Sequence, residues 1–354
     1  MDFSATITPF MPLVKPHFVS KKQQSQEVID GVLSRAELFS SGRDALLRAL
    51  KLAMGQNKSR RIFLPNYFCP WVIKAVESLY CAQLCFYDDV PTEKEPDFSS
   101  LLASGGDIVV AVNFFASRDF SVWEKWKSKN KDVILIADFS HCPFAEQIFL
   151  DCFDYVFASL RKTLPLSDGG YLFGRNFSAN AMYKRSGQGC DFASVYAFSA
   201  ALAEIDYQSA RDYYYNAEMR LNAKNSISRI SFYSYNTLKK IDLSLLWDLR
   251  SDTFDSFNNA LSGNLGFSML QAPQKRNDKF ALFCPTLVFD NVSLRDRAYA
   301  ALSDAGILPS IYWGAKFLKC KKAKAVSSKM MTISLDFRHT EKDAQKVAEI
   351  LNNL

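Results

Sequence analysis

Two apolar segments that end in charged residues are the most informative part of the sequence: ILIADFSH, residues 134–141, and YVFASLRK, residues 155–162. Each begins with an unbroken apolar run, which is typical of a buried strand. The first run ends at Asp138, and Lys162 closes the second segment. Because a charge at the end of a buried strand is costly without a partner, we expect one ligand to satisfy both side chains.

The surrounding residues predict a mainly parallel α/β sheet. Ligands bind to such open sheets at the carboxyl ends of the strands, so Asn113 and Ser159 join Asp138 as candidate ligand-binding residues. The short apolar runs and helical patterns predict strands at residues 61–64, 83–87, 107–112, 133–137, 155–158 and 170–173, and helices at 70–79 and 121–128.

The last third of the sequence predicts a second, smaller unit. It follows a long helical pattern at residues 192–225 and has strand patterns at 283–289 and 331–335 and helical patterns at 293–305 and 342–351. We therefore expect a large α/β domain with an N-terminal arm, residues 1–225, and a small C-terminal α+β domain, residues 226–354. The basic stretch 316–324 is predicted to be a loop.

Composition narrows the class of function. Lysine and arginine number 43 against 37 aspartate and glutamate residues, a net charge of +6 that suits anionic small molecules and is too weak to indicate a nucleic-acid partner. Only three histidines occur, which disfavours a metal centre. The eight scattered cysteines suggest a reducing compartment, so we expect a cytoplasmic location.

Several common motifs are missing from the sequence. No apolar run approaches the roughly 20 residues of a membrane-spanning helix, and the start has no signal-peptide pattern. There is also no G-x-x-x-x-G-K-[ST] phosphate loop, no G-x-S-x-G nucleophile elbow and no H-E-x-x-H zinc helix. Three large enzyme classes therefore lose support.

A single cofactor could bind both of the charged side chains at the strand ends. Pyridoxal 5'-phosphate needs a lysine that binds its aldehyde as a Schiff base, an acid beside its pyridine nitrogen, and phosphate donors at a helix N-terminus. Lys162 and Asp138 are the candidate lysine and acid. The stretch Ser41-Gly42-Arg43 opens a helical pattern at 44–54 and, joined by Ser159, is the candidate phosphate site.

These residues resemble a known family. The motifs that carry the resemblance are SGRDAL at 41–46, PNYFC at 65–69, DFSH at 138–141, SLRK at 159–162 and DGG at 168–170. Together they look like fold-type I pyridoxal-phosphate enzymes and, more narrowly, the DegT/DnrJ/StrS-type sugar aminotransferases. The resemblance covers residues 36–174, and LPSIYW at 308–313 and SLDFRH at 334–339 look like the family's C-terminal elements.

The resemblance implies a role for each matching residue. Lys162 would bind the cofactor and move protons, and Asp138 would pair with the pyridinium. Ser140 would lie against the cofactor's face, and His141 would hydrogen-bond its phenolic oxygen. The aromatic side chain stacked on the ring would be Tyr67 or Phe68, and the motif leaves both open. Asn113, Trp313 and Arg338 are the candidate substrate contacts.

The implied function is transfer of an amino group from a small-molecule donor such as glutamate to a keto sugar carried by a nucleotide, in a homodimer. SLRK is shorter than the family's usual S-F-H-x-x-K, and residues 187–196 do not match the family's next segment. Two alternatives therefore stay open. One is other pyridoxal-phosphate chemistry, such as dehydration, a lyase step or acyl transfer, and the other is a degenerate protein that binds sugar nucleotides or acts as a scaffold.

Overall fold

A computed structural model describes the chain from residue 30 to residue 354, except for residues 33, 56–60, 80–82, 176, 179, 181–186, 188–189, 204, 225, 264–265, 271–277 and 279. The predicted N-terminal arm lies outside the described residues. So does part of the unmatched segment 187–196.

Seven strands form the large sheet. They are β1 (Glu37–Phe39), β2 (Ile62–Pro65), β3 (Leu84–Tyr87), β4 (Ile108–Val112), β5 (Ile134–Asp138), β6 (Tyr155–Ser159) and β7 (Gly170–Phe173), in the order β1-β7-β6-β5-β4-β2-β3. Strands β2 to β6 are parallel, whereas β7 runs antiparallel to both β6 and β1. The predicted α/β fold with a mainly parallel sheet is confirmed.

The sheet is buried on both faces. Along β4, Ile108, Val110 and Val112 pack into one apolar cluster, while Val109 and Ala111 pack into another. Successive side chains of a strand point to opposite faces, so both faces of β4 carry apolar residues. This explains why the strands read as unbroken apolar runs in the sequence rather than as alternating patterns.

Ten helices of the described residues accompany the sheets, and several of them agree with their predicted ranges. The helix predicted at 192–225 is two helices, and Asp206 caps the second by accepting a hydrogen bond from the Ser209 backbone at 3.1 Å. The helices are α1 (Gly42–Met54), α2 (Pro70–Leu79), α3 (Val122–Lys129), α4 (Asp191–Leu202), α5 (Tyr207–Ala223), α6 (Phe232–Leu238), α7 (Leu243–Ala260), α8 (Val292–Asp304), α9 (Lys321–Lys329) and α10 (Glu341–Asn352).

A second sheet lies in the last third of the chain. Its three strands, β8 (Phe267–Met269), β9 (Thr286–Phe289) and β10 (Met330–Thr332), are antiparallel in the order β10-β9-β8. This segregation of sheets fits the expected small α+β domain, although the boundary at residues 225 and 226 stays a prediction. None of the helices in the described ranges is long and apolar enough to span a bilayer.

The prediction of a loop at residues 316–324 is wrong over its second half. Helix α9 begins at Lys321 and buries Ala323 and Ser327, which are four residues apart and therefore share one helix face. Small residues form this buried face, so the basic side chains around them hid the helical pattern. Strands β1 and β8 were not predicted because three residues are too few to show a periodic pattern.

Candidate active site

The carboxyl ends of the central strands bring the predicted charged residues together. Val112 at the end of β4 pairs in register with Asp138 of β5, which in turn pairs with Phe157 of β6. A short 3₁₀ turn, Leu160–Lys162, follows β6. Asp138 and Lys162 therefore line one cavity of about 690 Å³.

The N-terminus of helix α1 lines this cavity. Ser41 caps the helix and accepts a hydrogen bond from the Asp44 backbone at 3.1 Å. A Cβ on Gly42 would lie 2.9 Å from the Cβ of Ser159, so only glycine allows the helix to approach the end of β6 this closely. The free backbone N–H groups and dipole of a helix N-terminus bind phosphate well, and Ser159 lies beside them.

Arg43 joins the start of α1 to the end of α5. Its guanidinium donates to the Leu221 carbonyl at 2.8 Å and to Asn222 Oδ1 at 2.6 Å, and Arg43 and Asn222 both line the cavity. The Nε atom of Arg43 is buried and has no hydrogen-bond partner among the described residues, and burial lowers the pKa of the group. Arg43 therefore places a positive charge next to the predicted phosphate site.

Asp138 is held by the chain that follows it. The Ser140 backbone N–H donates to Asp138 Oδ1 at 2.8 Å, and Ser140 Oγ accepts from the Ser159 backbone at 3.1 Å. Burial raises the pKa of Asp138, and the charge of Lys162 opposes that rise. The carboxyl group thus faces the cavity with a fixed orientation.

Lys162 contacts the predicted histidine. Its Nζ lies 3.2 Å from His141 Nε2, and Nδ1 of His141 accepts a hydrogen bond from the Phe115 backbone at 2.9 Å. Burial lowers the pKa of Lys162, and the negative charge of Asp138 opposes that shift. Burial also lowers the pKa of His141 well below its usual value, and Lys162 acts in the same direction.

An aromatic wall closes one side of the cavity, and it distinguishes the two candidate stacking residues. Both rings are buried and pack against Trp313, with ring centres 5.1 Å apart for Tyr67 and 6.4 Å apart for Phe68, but the cavity is lined by Phe68 and not by Tyr67. The Tyr67 hydroxyl donates to the Tyr312 carbonyl. Phe68 is therefore the one available to stack on a ligand.

The three candidate substrate residues lie in different places. Trp313 and Asn113 line the cavity, and Asn113 Oδ1 also accepts from the Arg118 backbone at 3.3 Å. Arg338 is outside the cavity lining and pairs with the buried Asp336 at 2.8 Å. Its guanidinium contacts its own segment, at both Asp336 and the Ser334 carbonyl, and Ser334 lines the cavity.

Several charged residues that line the cavity were not predicted, and they include Arg161, Arg211 and Glu218. Arg161 lies over the Tyr196 ring at 4.3 Å and pairs with Glu218 at 3.3 Å, and all three residues line the cavity. Arg161 precedes Lys162 inside the SLRK motif, which was a usable signal. The sequence offers no comparable signal for Tyr196 and Glu218, because helices α4 and α5 reach the site only through tertiary packing.

No protein-family model and no curated protein matches the sequence, whereas solved structures match most of the chain. Spr1654 from Streptococcus pneumoniae, described as a sugar aminotransferase and solved in its PLP form, is 12% identical with a TM-score of 0.64 over 98% of both chains. A DegT/DnrJ/EryC1/StrS aminotransferase from Brucella abortus is 14% identical with a TM-score of 0.61 over 93% of this chain and 89% of that one.

A third matching structure is DesI, solved in the presence of its TDP-sugar product. It is 12% identical with a TM-score of 0.58 over 97% of this chain and 86% of that chain. At such low identity these likenesses concern the fold. The chain has the fold of type I pyridoxal-phosphate aminotransferases, as its motifs predict.

Proposed function

We propose that the protein is a pyridoxal-phosphate-dependent aminotransferase that aminates a keto sugar carried by a nucleotide, with an amino acid such as glutamate as donor. The observation that carries this proposal is the meeting of Asp138 and Lys162 in one cavity that the N-terminus of α1 also lines. Lys162 can bind an aldehyde, Asp138 can pair with a basic ring nitrogen, and the helix N-terminus can bind a phosphate, so a single ligand that carries all three groups would fit.

The residues present fit this cofactor. Gly42 lets the N-terminus of α1 lie against Ser159, where a Cβ would be 2.9 Å from the Ser159 Cβ, and this places the N–H donors of the helix beside the Ser159 side chain. Ser41, Gly42, Arg43 and Ser159 would hold that group, and Phe68 would lie against the ring. When bound, pyridoxal phosphate supplies an aldehyde that captures amines and a ring that withdraws electrons.

The side chains of the site have separate tasks in this chemistry. Asp138 would keep a proton on the ring nitrogen, a task that suits a carboxylate fixed by the Ser140 N–H at 2.8 Å. Lys162 has a pKa lowered by burial, so a larger fraction of its amine is unprotonated and able to bind an aldehyde or accept a proton from carbon. His141 lies 3.2 Å from the Lys162 amine and would orient it.

A nucleotide sugar is the acceptor class that we favour. The cavity of about 690 Å³ extends beyond the lysine to Arg161 and Tyr196. The Arg161 guanidinium suits a diphosphate, and DesI is a protein of this fold solved with a TDP-sugar product. We further propose a homodimer in the cytoplasm, with the domain division at residue 225, and size-exclusion chromatography with light scattering tests the dimer.

The visible spectrum of the purified protein tests the cofactor. We expect the wild-type chain to bind added pyridoxal phosphate as a coloured adduct that borohydride fixes to Lys162, as read by peptide mass spectrometry. Lys162→Ala should lose the adduct, whereas Lys319→Ala, which changes an exposed lysine outside the cavity, should keep it. A stable adduct at another lysine would overturn the site.

A second assay separates amino transfer from the alternatives. With ¹⁵N-glutamate and a nucleotide-linked keto sugar, we expect the label in the sugar product. Consumption of the sugar nucleotide without label transfer would indicate dehydration or a lyase step instead. Binding of the sugar nucleotide with no turnover would indicate a degenerate protein.

A further inference from the structure

A strained turn follows β4 at the edge of the site. Phe115 and Ala116 have left-handed backbone conformations, with φ angles of 54° and 57°, and among the described residues no other residue except glycine does so. They belong to the short 3₁₀ turn Phe114–Ala116. Such conformations are costly for a residue with a Cβ and persist where the surroundings hold them, often at functional sites.

The turn directs a main-chain donor at His141. The Phe115 N–H donates to His141 Nδ1 at 2.9 Å. The Phe115 ring stacks on the imidazole with centres 4.9 Å apart and an angle of 16°, and Phe283 packs against the imidazole at 4.5 Å. The imidazole is therefore fixed in orientation, and its Nδ1 acts as an acceptor.

An accepting Nδ1 determines where the imidazole carries its proton. Neutral histidine has one protonated ring nitrogen, so an Nδ1 lone pair used by the Phe115 N–H leaves the proton on Nε2. Burial keeps His141 neutral by lowering its pKa well below the usual value. Nε2 therefore donates to Lys162 Nζ, 3.2 Å away, and an ammonium group has no lone pair to accept that hydrogen bond.

We propose that the Phe115–Ala116 turn is a positioning device that fixes His141 as the Nε2–H tautomer, and that His141 thereby holds Lys162 as a free amine. That the free amine serves to bind an aldehyde rests on the proposed function. The tautomer and the protonation state are properties of the cofactor-free chain, so they can be measured whether or not the protein is an aminotransferase.

Other charged groups act on Lys162 from the elements packed around it. Asp138 on β5, Cys69 before α2 and Glu218 on α5 favour the charged amine, whereas burial and Arg161 favour the neutral one. Lys162 is the charged group that bears on His141. Because these influences oppose one another, a hydrogen bond donated by His141 Nε2 can shift the protonation equilibrium of the Lys162 amine.

Nitrogen NMR of the cofactor-free full chain tests the tautomer. The chain has three histidines, so ¹⁵N-histidine labelling gives few signals, and His141→Gln assigns the one of interest by its loss. We expect protonated Nε2 and unprotonated Nδ1 for His141 at neutral pH. A protonated Nδ1, or a doubly protonated ring, would overturn the proposal.

The reactivity of Lys162 tests the second part of the proposal, that His141 holds this lysine as a free amine. Trace acetylation at pH 7, read by peptide mass spectrometry against Lys319, reports the fraction of free amine. His141→Leu removes the donor, and we expect labelling of Lys162 to slow about fivefold, the effect of one ordinary hydrogen bond. His141→Gln retains an acceptor and a donor and should restore labelling. Equal labelling of the wild-type and leucine proteins would contradict the proposal.

Substitution in the turn separates its role from that of the histidine. Phe115→Val places a β-branched residue where φ is 54°, so the turn should relax and a fraction of His141 should become protonated at Nδ1. Ala116→Gly is the matched control and should leave the tautomer unchanged. The His339 signal reports folding, and if the valine variant does not fold, Phe115→Ala removes the ring that stacks on His141 and keeps the cost of a left-handed residue with a Cβ, so the turn should relax. Persistence of pure Nε2–H in the folded variant would refute the role of the turn.

Discussion

The substitution Gly42→Ala tests the phosphate site directly. A Cβ at this position would lie 2.9 Å from the Ser159 Cβ and 3.1 Å from both the Cα and the N of that residue. Two of these three atoms are backbone, so they cannot rotate away and α1 must move back from β6. Overpacking of this kind costs about 1–3 kcal/mol, and the higher helix propensity of alanine returns under about 1 kcal/mol. We expect the free energy of unfolding to fall by about 1–2 kcal/mol.

Cofactor binding should change more than stability. Displacing α1 removes a hydrogen bond to a charged phosphate, worth about 1.5–3 kcal/mol, which corresponds to an affinity about 10- to 100-fold weaker. Urea unfolding measures the first effect, and quenching of tryptophan fluorescence during titration with pyridoxal phosphate measures the second. Trp313 in the cavity wall provides the fluorescent reporter.

Two controls make the test specific. Gly31→Ala introduces a Cβ with no atom of the described residues within 4 Å, so it should leave binding unchanged. Pyridoxal without its phosphate should bind the wild-type and Gly42→Ala proteins equally. The reasoning is refuted if Gly42→Ala binds pyridoxal phosphate within about twofold of wild type, or if pyridoxal loses as much affinity as the phosphorylated form.

Three further predictions follow from other parts of the structure. Asp138→Asn keeps an acceptor for the Ser140 N–H but removes the charge, so kcat for amino transfer should fall about 100-fold or more while the thermal midpoint stays near wild type. Ala116→Gly relieves a left-handed conformation costing about 1–2 kcal/mol and loses about 0.5–1 kcal/mol to chain entropy, so urea unfolding should show a gain of about 0.5–1 kcal/mol. Burial raises the pKa of Asp89 from 3.8 to about 6, although the charge of Arg118 opposes this rise. The folded chain therefore binds the Asp89 proton more tightly than the unfolded chain does. The stability that this proton contributes is lost as the pH rises from about 4 to 6. The stability of Asp89→Asn relative to wild type should therefore improve between pH 4 and pH 7 in urea titrations, and an opposite slope would contradict this reading of the Asp89–Arg118 pair.

Local patterns were sufficient for the central strands and for the residues at their ends. Residues 134–138 form an unbroken apolar run because both faces of a parallel sheet are buried, so β5 and its terminal Asp138 were visible without any structure. The same holds for β6 and for the helix that Ser41 caps. The roles of these residues in catalysis stay predictions.

Features that depend on contacts between distant segments could not be predicted from local sequence patterns. The choice between Phe68 and Tyr67 depends on Trp313 and Tyr312, which lie more than two hundred residues away in the chain. The pairing of Arg338 with Asp336, outside the cavity lining, likewise could not be read from the sequence. Short strands such as β8 and the small-residue face of α9 carry too little periodicity to be recognised.

The sequence by itself determined the α/β class, the positions of the central strands along the chain, and the presence of one lysine and one carboxylate at the ends of buried strands. These follow from hydrophobic periodicity and from the cost of burying an isolated charge, and both are local properties. Tertiary structure alone decided that the Phe115 N–H reaches His141, that Gly42 lies against Ser159, and that Arg161 and Glu218 share the cavity. Each of these contacts joins segments separated by many residues, and its geometry is set by how the strands and helices pack together.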